Sequence, residues 1–473
     1  MSADDREVHV LMVTAAMQGQ LNPMLRFAKR LVSNGVHVTL ATTELARQRM
    51  LKHNTLSSQN TTIQLEFFSD GLSLEFDREK NFELFVESLR TKASRNLSYL
   101  VSNLTKNNNF SCMIVNGFMP WWVDVAADHG IPAAMLWNQA SAIYSIYYHY
   151  FKHPNLFPDL ENPNGIVELP GMPLLKIEDL PSFIFPTENA CMTKLVSEFV
   201  QYLDKVKWVL GVSVYELEKN IVNSMASLTP ILSIGPLVSP FLLGKEETVP
   251  FKVDMWTAED YCIEWLDNQL PSSVFYVSFG SMKVLSQKQM DNIATGLKKS
   301  NKPFLWVAKP PEKGCEMKAG ELPSWFLEEK EGIGLVVKWC SQEKVLMHQA
   351  VACFMTHCGW SSTLETVVAG VPVIAYPEWT DQLTNAKLLT DVFKVGVRIR
   401  NGEDGVASAE DVERRIVEVI DGPGAVEIKK RAMELKEAAK EAMEVGGSSE
   451  HNFNQFIDEI ARKPCHTEST HDV

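Results

Sequence analysis

Apolar runs of strand length alternate with helix-length segments along most of this chain, and this alternation restricts the fold more than any other feature. The first two runs are Val8–Thr14 and Val36–Thr42, with a helical pattern at Pro23–Asn34 between them. A strand, a helix and a second strand in this order form a βαβ unit, whose strands lie parallel in one sheet. Later runs repeat the pattern, at Ile63–Phe68, Cys112–Val115 and Ala133–Trp137. The sequence therefore predicts an α/β protein with helices covering a parallel sheet.

The alternation stops around residues 239–257 and then starts again. This stretch contains prolines, a glycine and charged residues, which is typical of an interdomain linker. Further runs follow it, at Val274–Ser278, Phe304–Ala308, Gly334–Lys338, Ala352–Met355, Val371–Ala375 and Val395–Ile399. Because 473 residues are too many for one ordinary core, we predict two domains. Their predicted bounds are 1–240 and 257–448, with a linker at 241–256 and a terminal helix and tail at 449–473.

Composition and charge exclude several classes of protein. Hydrophobic residues make up 45% of the chain and charged residues 22%, as in a globular protein. The net charge of -14 and the lack of a basic block argue against nucleic acid and anionic membrane as partners. No apolar run approaches the roughly 18 residues of a membrane span, and the polar N-terminus is not a signal peptide. We therefore expect a cytoplasmic monomer, whose eight cysteines are reduced thiols without metal-like spacing.

The chemistry is concentrated in three short segments, Trp339–Gln342, His357–Glu365 and Pro377–Gln382. Residues 356–360 have the pattern of a turn from a strand into a helix that starts near Thr363. Gly359 has no side chain, so a ligand can come close to the backbone there. The free N–H groups of a helix N-terminus bind anions. A glutamate one turn into the helix, Glu365, is placed to accept hydrogen bonds from ribose hydroxyls. The segments together predict a nucleotide site.

Each of these residues also has an ordinary structural interpretation. Trp339 and Trp360 can be core aromatics, His357 a buried histidine, and Ser361 and Ser362 helix caps. For any one of these residues alone, the structural interpretation is at least as well supported as a binding role. Their combination within one short block is what favours a binding site.

The block resembles the signature motif of the plant family 1 UDP-glycosyltransferases, and the resemblance extends to Ser278–Ser281 and Gln18–Leu25. It implies a GT-B fold, in which two Rossmann-like domains face each other across the catalytic cleft. The donor UDP-glucose would bind the C-terminal domain and an aromatic acceptor the N-terminal one. Transfer would invert the anomeric carbon and need no metal or other cofactor.

The resemblance also implies a role for each residue of the motif. Uridine would be bound by Trp339, Gln342 and Glu365, the diphosphate by Ser281, His357 and Ser362, and the sugar by Trp360, Asp381 and Gln382. A glutamine at the last position is typical of glucose donors in this family. Ser361 stands where the family usually has asparagine.

The acceptor side departs from the family at two positions. A histidine after the first strand normally takes the proton from the acceptor, and an aspartate orients it. This chain has Gln20 and Asn116 at the matching positions. An amide has no basic lone pair at neutral pH, so Gln20 can hydrogen-bond an acceptor but cannot be its general base. Asparagine at the position of Asn116 is found in branches that make glucose esters.

Three interpretations of Gln20 remain open. It is an introduced substitution that traps substrates in an otherwise ordinary transferase, or it belongs to an enzyme whose acceptors need no strong base. In the third interpretation the chain is a UDP-sugar-binding protein with little or no turnover. A dinucleotide-binding oxidoreductase is disfavoured, because the turn after the first strand lacks the G-x-G-x-x-G pattern.

Aromatic residues are frequent in two segments of the expected acceptor domain, at residues 137–149 and 183–200. A flat acceptor such as a flavonoid, a benzophenone or a phenolic acid suits such walls. Ordinary packing explains any one of these aromatics equally well. The chain resembles the branch with phenolic ester-forming and C-glycosylating enzymes, so both O- and C-transfer stay open.

Overall fold

The computed structural model describes residues 7–52, 62–246, 261–280, 285–308, 320–329, 333–402 and 404–462. Its strands are β1 His9–Val13, β2 His37–Thr43, β3 Ile63–Phe68, β4 Cys112–Asn116, β5 Ala133–Trp137, β6 Ile166–Val167, β7 Leu175–Lys176, β8 Trp208–Gly211, β9 Ile231–Ser233, β10 Val274–Ser278, β11 Phe304–Val307, β12 Gly334–Val337, β13 Val351–Thr356, β14 Val373–Ala375 and β15 Gly396–Arg398. The α/β prediction is confirmed.

The helices alternate with these strands. They are α1 Gln18–Ser33, α2 Glu44–Lys52, α3 Phe82–Ser88, α4 Ser94–Leu104, α5 Trp122–Asp128, α6 Ser141–Lys152, α7 Pro186–Tyr202, α8 Tyr215–Met225, α9 Tyr261–Asp267, α10 Gln287–Ser300, α11 Ser324–Glu329, α12 Gln342–Leu346, α13 Trp360–Ala369, α14 Gln382–Lys387, α15 Ala409–Ile420, α16 Ala425–Glu441 and α17 Ser448–Ala461. Short 3-10 helices lie at Ile177–Asp179 and Ser182–Ile184. No helix in the described ranges is both long and apolar enough to cross a membrane.

Two parallel sheets organise the described residues. One has seven strands in the order β3-β2-β1-β4-β5-β8-β9, and the other has six in the order β12-β11-β10-β13-β14-β15. We call the part built on the first sheet the first half and the part built on the second sheet the second half. In each sheet the chain adds strands first on one side of the initial strand and then on the other. The direction changes between β1 and β4 in the first sheet and between β10 and β13 in the second. Ligands of such sheets bind at the carboxyl ends of the strands beside this switch point.

Helix α1 begins earlier than the sequence predicts. The prediction placed its start at Pro23, whereas the helix starts at Gln18 and Pro23 lies inside it. Proline has no N–H, so it cannot donate to the carbonyl of Gly19 four residues before it. That carbonyl instead accepts a hydrogen bond of 3.0 Å from Asn138 Nδ2, which compensates for the missing helix bond. The carbonyl that the proline leaves without a helix partner thus connects α1 to Asn138, at the end of β5.

The last helix, α17, returns to the first half. Its Phe453 and Phe456 rings pack against Phe27 of α1, at centroid distances of 6.3 Å and 6.4 Å. Asn452 Nδ2 donates to the carbonyl of Ser233 at the end of β9, over 2.9 Å. The predicted terminal helix exists and covers the seven-stranded sheet. Residues 247–256 of the predicted linker and the tail after Arg462 lie outside the described residues.

A buried carboxylate holds the start of α6, the helix that follows β5. The backbone N–H groups of Ser141 and Ala142 donate to Glu218 Oε2 and Oε1 over 3.0 Å and 2.8 Å. The Ser213 hydroxyl also donates to Glu218, and the glutamate is 2% exposed. Burial raises the pKa of this carboxyl, and its three donors oppose the shift. Glu218 therefore acts as an N-cap supplied from a distant helix.

Replacing Glu218 with alanine will destabilise the fold by at least about 2 kcal/mol, because two buried N–H groups lose their acceptor. Chemical denaturation measures the free energy of unfolding. The matched control is Glu216→Ala, which removes an exposed carboxylate from the same helix α8. An equal loss in the two variants would show that Glu218 does not cap α6.

Candidate active site

The turn after β13 leads directly into a helix, which is the geometry expected of the predicted anion cradle. Helix α13 starts at Trp360 and not near Thr363 as predicted, so Ser361 and Ser362 lie in its first turn. The reason is the tight turn before it, where Cys358 has a left-handed φ of 64°. The Thr356 hydroxyl accepts a hydrogen bond of 3.2 Å from the Cys358 N–H and supports this conformation. The N–H groups of the first turn point past the end of β13, where an anion can bind.

Two glycines enclose the imidazole of His357. A Cβ atom on Gly359 would lie 2.5 Å from His357 Nε2. A Cβ atom on Gly280, which has a φ of +74°, would lie 2.8 Å from the same nitrogen. Both distances are shorter than any van der Waals contact, so only glycine at each place leaves the ring where it is. His357 therefore lies at the switch point of the second sheet, between the loops that follow β10 and β13.

Three of the polar residues predicted to contact uridine and diphosphate form one hydrogen-bonded group. Gln342 Nε2 donates to Glu365 Oε2 over 2.7 Å and to Ser362 Oγ over 3.0 Å. Glu365 is buried, with 7% of the residue exposed. Trp339 is half-buried at the end of β12, beside Gln342 in sequence. Ser281 lies outside the described residues, and Ser361 is exposed.

An arginine from the first half completes this group, and no sequence motif indicated it. Arg26 of α1 donates to Glu365 Oε1 and to Glu343 Oε1, each over 2.7 Å. It also donates to the carbonyl of Leu237 over 3.1 Å. The Ser239 hydroxyl donates to the second oxygen of Glu343 over 2.6 Å. The predicted ribose contact is therefore an ion-paired carboxylate at the boundary between the two halves.

The predicted sugar contacts are held rigidly at the start of α14. Asp381 accepts hydrogen bonds of 2.8 Å from the Thr380 hydroxyl and from Asn385 Nδ2. Burial raises the pKa of the Asp381 carboxyl, and these donors and Gln139 oppose the shift. Gln382 Oε1 accepts from the N–H of Glu378 over 3.2 Å. These bonds fix both side chains beside the 378–381 loop.

Contacts on two sides hold this region in place. Asn385 Nδ2 also donates to the carbonyl of Cys358 over 2.9 Å, which joins α14 to the anion cradle. The indole N–H of Trp360 is buried and has no hydrogen-bond partner among the residues described. Gln139, which follows β5, reaches Asp381 from the first half. The residues predicted to contact the sugar therefore face the end of β5 across the cleft.

Gln20, the residue predicted to face the acceptor, has a hydrogen-bond partner, but that partner is not Asn116. Gln20 Oε1 accepts a hydrogen bond of 2.7 Å from Asn138 Nδ2. Asn116 is fully buried at the end of β4, where its Oδ1 accepts from the Phe118 N–H over 2.9 Å. Its Nδ2 has no partner within the described part of the chain. Asn138 follows the strand next to β4, so the rule that strand ends converge could have identified it.

Most of the aromatic residues expected to line an acceptor pocket are packing residues. Trp137, Tyr144, Tyr147 and Phe199 are at most 1% exposed, and Trp137 stacks on Phe199 at 4.5 Å. Tyr150 and Phe151 instead line a surface recess of about 480 Å³ at the far end of α6. With a rise of about 1.5 Å per residue, that end is on the order of 15 Å from the start of the helix. The recess is therefore separate from the cleft.

Comparisons with known proteins decide the family. The family model described as UDP-glucoronosyl and UDP-glucosyl transferase matches residues 264–442. UDP-glycosyltransferase 84B2 from Arabidopsis thaliana is 48% identical over 452 residues, which cover 95% of this chain and 99% of that protein. The chain belongs to the UDP-glycosyltransferases. Gallate 1-beta-glucosyltransferase 84A24 from Punica granatum is 40% identical over 465 residues, covering 96% of this chain and 89% of that protein.

Solved structures agree with this assignment. The crystal structure of Os79 from O. sativa in complex with UDP matches with a TM-score of 0.84 and 29% identity. The match covers 96% of this chain and 100% of that one. The predicted GT-B fold and the predicted enzyme class, a UDP-dependent glycosyltransferase, are confirmed. The roles of individual residues in this UDP-glycosyltransferase stay predictions, and the geometry of the site limits what each can do.

Proposed function

We propose that this UDP-glycosyltransferase transfers glucose from UDP-glucose to the carboxylate of an aromatic plant metabolite, with inversion and without a metal ion. Among flavonoids, benzophenones and phenolic acids, the phenolic acid agrees best with the site. The observation that carries this choice is the orientation of the Gln20 amide. We further propose that the enzyme acts as a cytoplasmic monomer.

The orientation of Gln20 follows from its neighbours. The Gly19 carbonyl can only accept, so the Asn138 atom 3.0 Å from it is the amide nitrogen. The same nitrogen donates to Gln20 over 2.7 Å, and the Gln20 atom that it contacts is therefore the oxygen. This leaves the Gln20 N–H groups to face an acceptor. An N–H donor suits a carboxylate, which is ionised at neutral pH and has no proton to lose.

The reaction then needs no general base. A carboxylate oxygen attacks the anomeric carbon of glucose, the bond from that carbon to the diphosphate oxygen breaks, and UDP leaves with the electron pair. His357 and the N-terminus of α13 would stabilise the charge that develops on the diphosphate. The name of the Punica granatum relative includes the word gallate, which is the anion of a phenolic acid. This supports a carboxylate acceptor here.

Replacing Trp339 with alanine will weaken UDP binding by about tenfold or more, because base stacking on an aromatic ring contributes roughly 1–3 kcal/mol. Isothermal titration calorimetry with UDP measures the dissociation constant. Trp325→Ala is the matched control, since Trp325 is also half-buried but contacts Phe326 on α11. An unchanged UDP affinity in the Trp339 variant would contradict its assignment to uracil.

The proposed reaction is tested with a panel of matched acceptors. A substituted benzoic acid and the corresponding phenol are incubated with UDP-glucose, and products are identified by mass. Mild alkali cleaves a glucose ester, whereas a phenolic O-glucoside survives it and a C-glucoside also survives acid. We expect alkali-labile products, and UDP-glucose preferred to UDP-galactose and UDP-glucuronate. Faster transfer to the phenol than to the acid would contradict the proposal, and no transfer despite UDP-glucose binding would favour a sugar-nucleotide-binding protein.

A further inference from the structure

Arg26 belongs to the first half of the molecule, yet its two ion-pair partners both belong to the second. Glu343 lies in the first turn of α12 and Glu365 in α13. The side chains of Arg26 and Glu365 are 21% and 9% exposed, so the pair is largely shielded from water. Such shielding makes an ion pair sensitive to the loss of one partner.

The Arg26 guanidinium thus forms ion pairs with the carboxylates of both Glu343 and Glu365. Burial raises the pKa of Glu343, the nearby Glu365 raises it further, and Arg26 opposes both effects. The buried phenol of Tyr276 on β10 also faces Glu365, but burial raises its pKa well above the usual range, so it stays neutral. Arg26 is the cation that forms ion pairs with both carboxylates.

The Glu365 carboxylate also has lone pairs that its protein partners do not use. Glu365 Oε1 accepts from Arg26, and Oε2 accepts from Gln342 Nε2, each over 2.7 Å. A carboxylate oxygen has two lone pairs, so each oxygen can accept one further hydrogen bond. Two adjacent ribose hydroxyls carry two such donors. Arg26 and Gln342 fix the orientation in which the remaining lone pairs are presented.

We propose that Arg26 is a positioning residue for the nucleotide, which holds the Glu365 carboxylate in the orientation that the ribose needs, from across the cleft. This inference rests on the proposed uridine site. It means that affinity for the donor depends on the half that carries the acceptor residue Gln20. Arg26 and Gln20 lie on the same helix, α1, so one rigid element contributes to both sites.

The test measures UDP binding by calorimetry between pH 5.5 and 8.5 for the wild-type enzyme and Arg26→Gln. Without the cation, two carboxylates face each other, and the pair takes up a proton at a higher pH. We expect Arg26→Gln to weaken UDP binding by about tenfold or more, and most strongly at low pH. The double variant Arg26→Gln/Glu343→Gln, which removes the like charge, should recover much of the affinity and lose the pH dependence.

Two control variants distinguish a positioning role for Arg26 from the general effect of losing an arginine on α1. Arg30→Gln removes a neighbouring arginine that pairs with Glu450 of α17, away from the nucleotide site. It should leave UDP affinity unchanged. If Arg26→Gln affects UDP binding no more than Arg30→Gln, or equally at every pH with no recovery in the double variant, Arg26 does not position Glu365. If Glu365→Gln itself leaves UDP affinity unchanged, the proposed uridine site is wrong instead.

Discussion

Gln20→His will raise kcat toward a neutral phenol by about 10²- to 10⁴-fold, the usual contribution of a general base. The present amide can donate to an acceptor oxygen but cannot take its proton. An imidazole has a pKa near 6.5, so the gain should increase as pH rises through that value. Transfer to a benzoic acid should change little, because its carboxylate has already lost the proton. Initial rates with both acceptors across pH measure the effect.

The matched control for this prediction is Gln20→Asn, which keeps an amide at the same place. It should not accelerate transfer to the phenol. The dissociation constant for UDP should be the same in all three proteins, since Gln20 lies on the acceptor side of the cleft. An equal gain with the phenol and the benzoic acid, or a gain with neither, would show that Gln20 does not occupy the position of a missing base.

Gly359→Ala will lower kcat/KM by roughly 10²-fold, the order expected when a reacting group is misplaced by about 1 Å. The new methyl group would lie 2.5 Å from His357 Nε2 and displace the ring. Gly280 also lies beside this ring, since a Cβ atom built on it would be 2.8 Å from the same nitrogen. The backbone itself tolerates alanine, since Gly359 has a φ of -61°.

Gly424→Ala controls for the general effect of adding a methyl group at the start of a helix. Gly424 precedes α16, and a Cβ atom there would meet no other atom within 4 Å. Activity should be unchanged in this variant. Steady-state kinetics and calorimetry with UDP separate a loss of donor binding from a loss of turnover. Full activity in Gly359→Ala would mean that the enclosure of His357 has no part in catalysis.

The repeated βαβ pattern predicted most of the fold because buried parallel strands are continuous apolar runs. All residues of β4 and β5, for example, are buried. Strands β8 and β9, of four and three residues, were not predicted. The starts of α1 and α13 were misplaced for a local reason. A proline inside the first helix resembled a helix start, and a non-glycine residue, Cys358, made the turn before the second.

The site could be predicted where its residues are close in sequence. Gln342, Ser362 and Glu365 lie within one block and do meet in the structure. Arg26 could not be found in this way, because its partner Glu365 is 339 residues distant. Asn138 is 118 residues from Gln20, and only the rule that strand ends converge indicates it. Such pairings depend on how the two halves and the strand ends come together. That information is in the tertiary structure and not in any local pattern.

The return of α17 to the first half determines how this protein can be divided. A cut at the linker would separate the seven-stranded sheet from the helix that covers it. Phe27 would lose its contacts with Phe453 and Phe456, and Trp208 would lose the hydrogen bond of 2.6 Å from its indole N–H to Glu459. An isolated N-terminal fragment would therefore expose an apolar face. Producing the acceptor half alone requires the last helix to be supplied with it, as a fusion or a separate peptide.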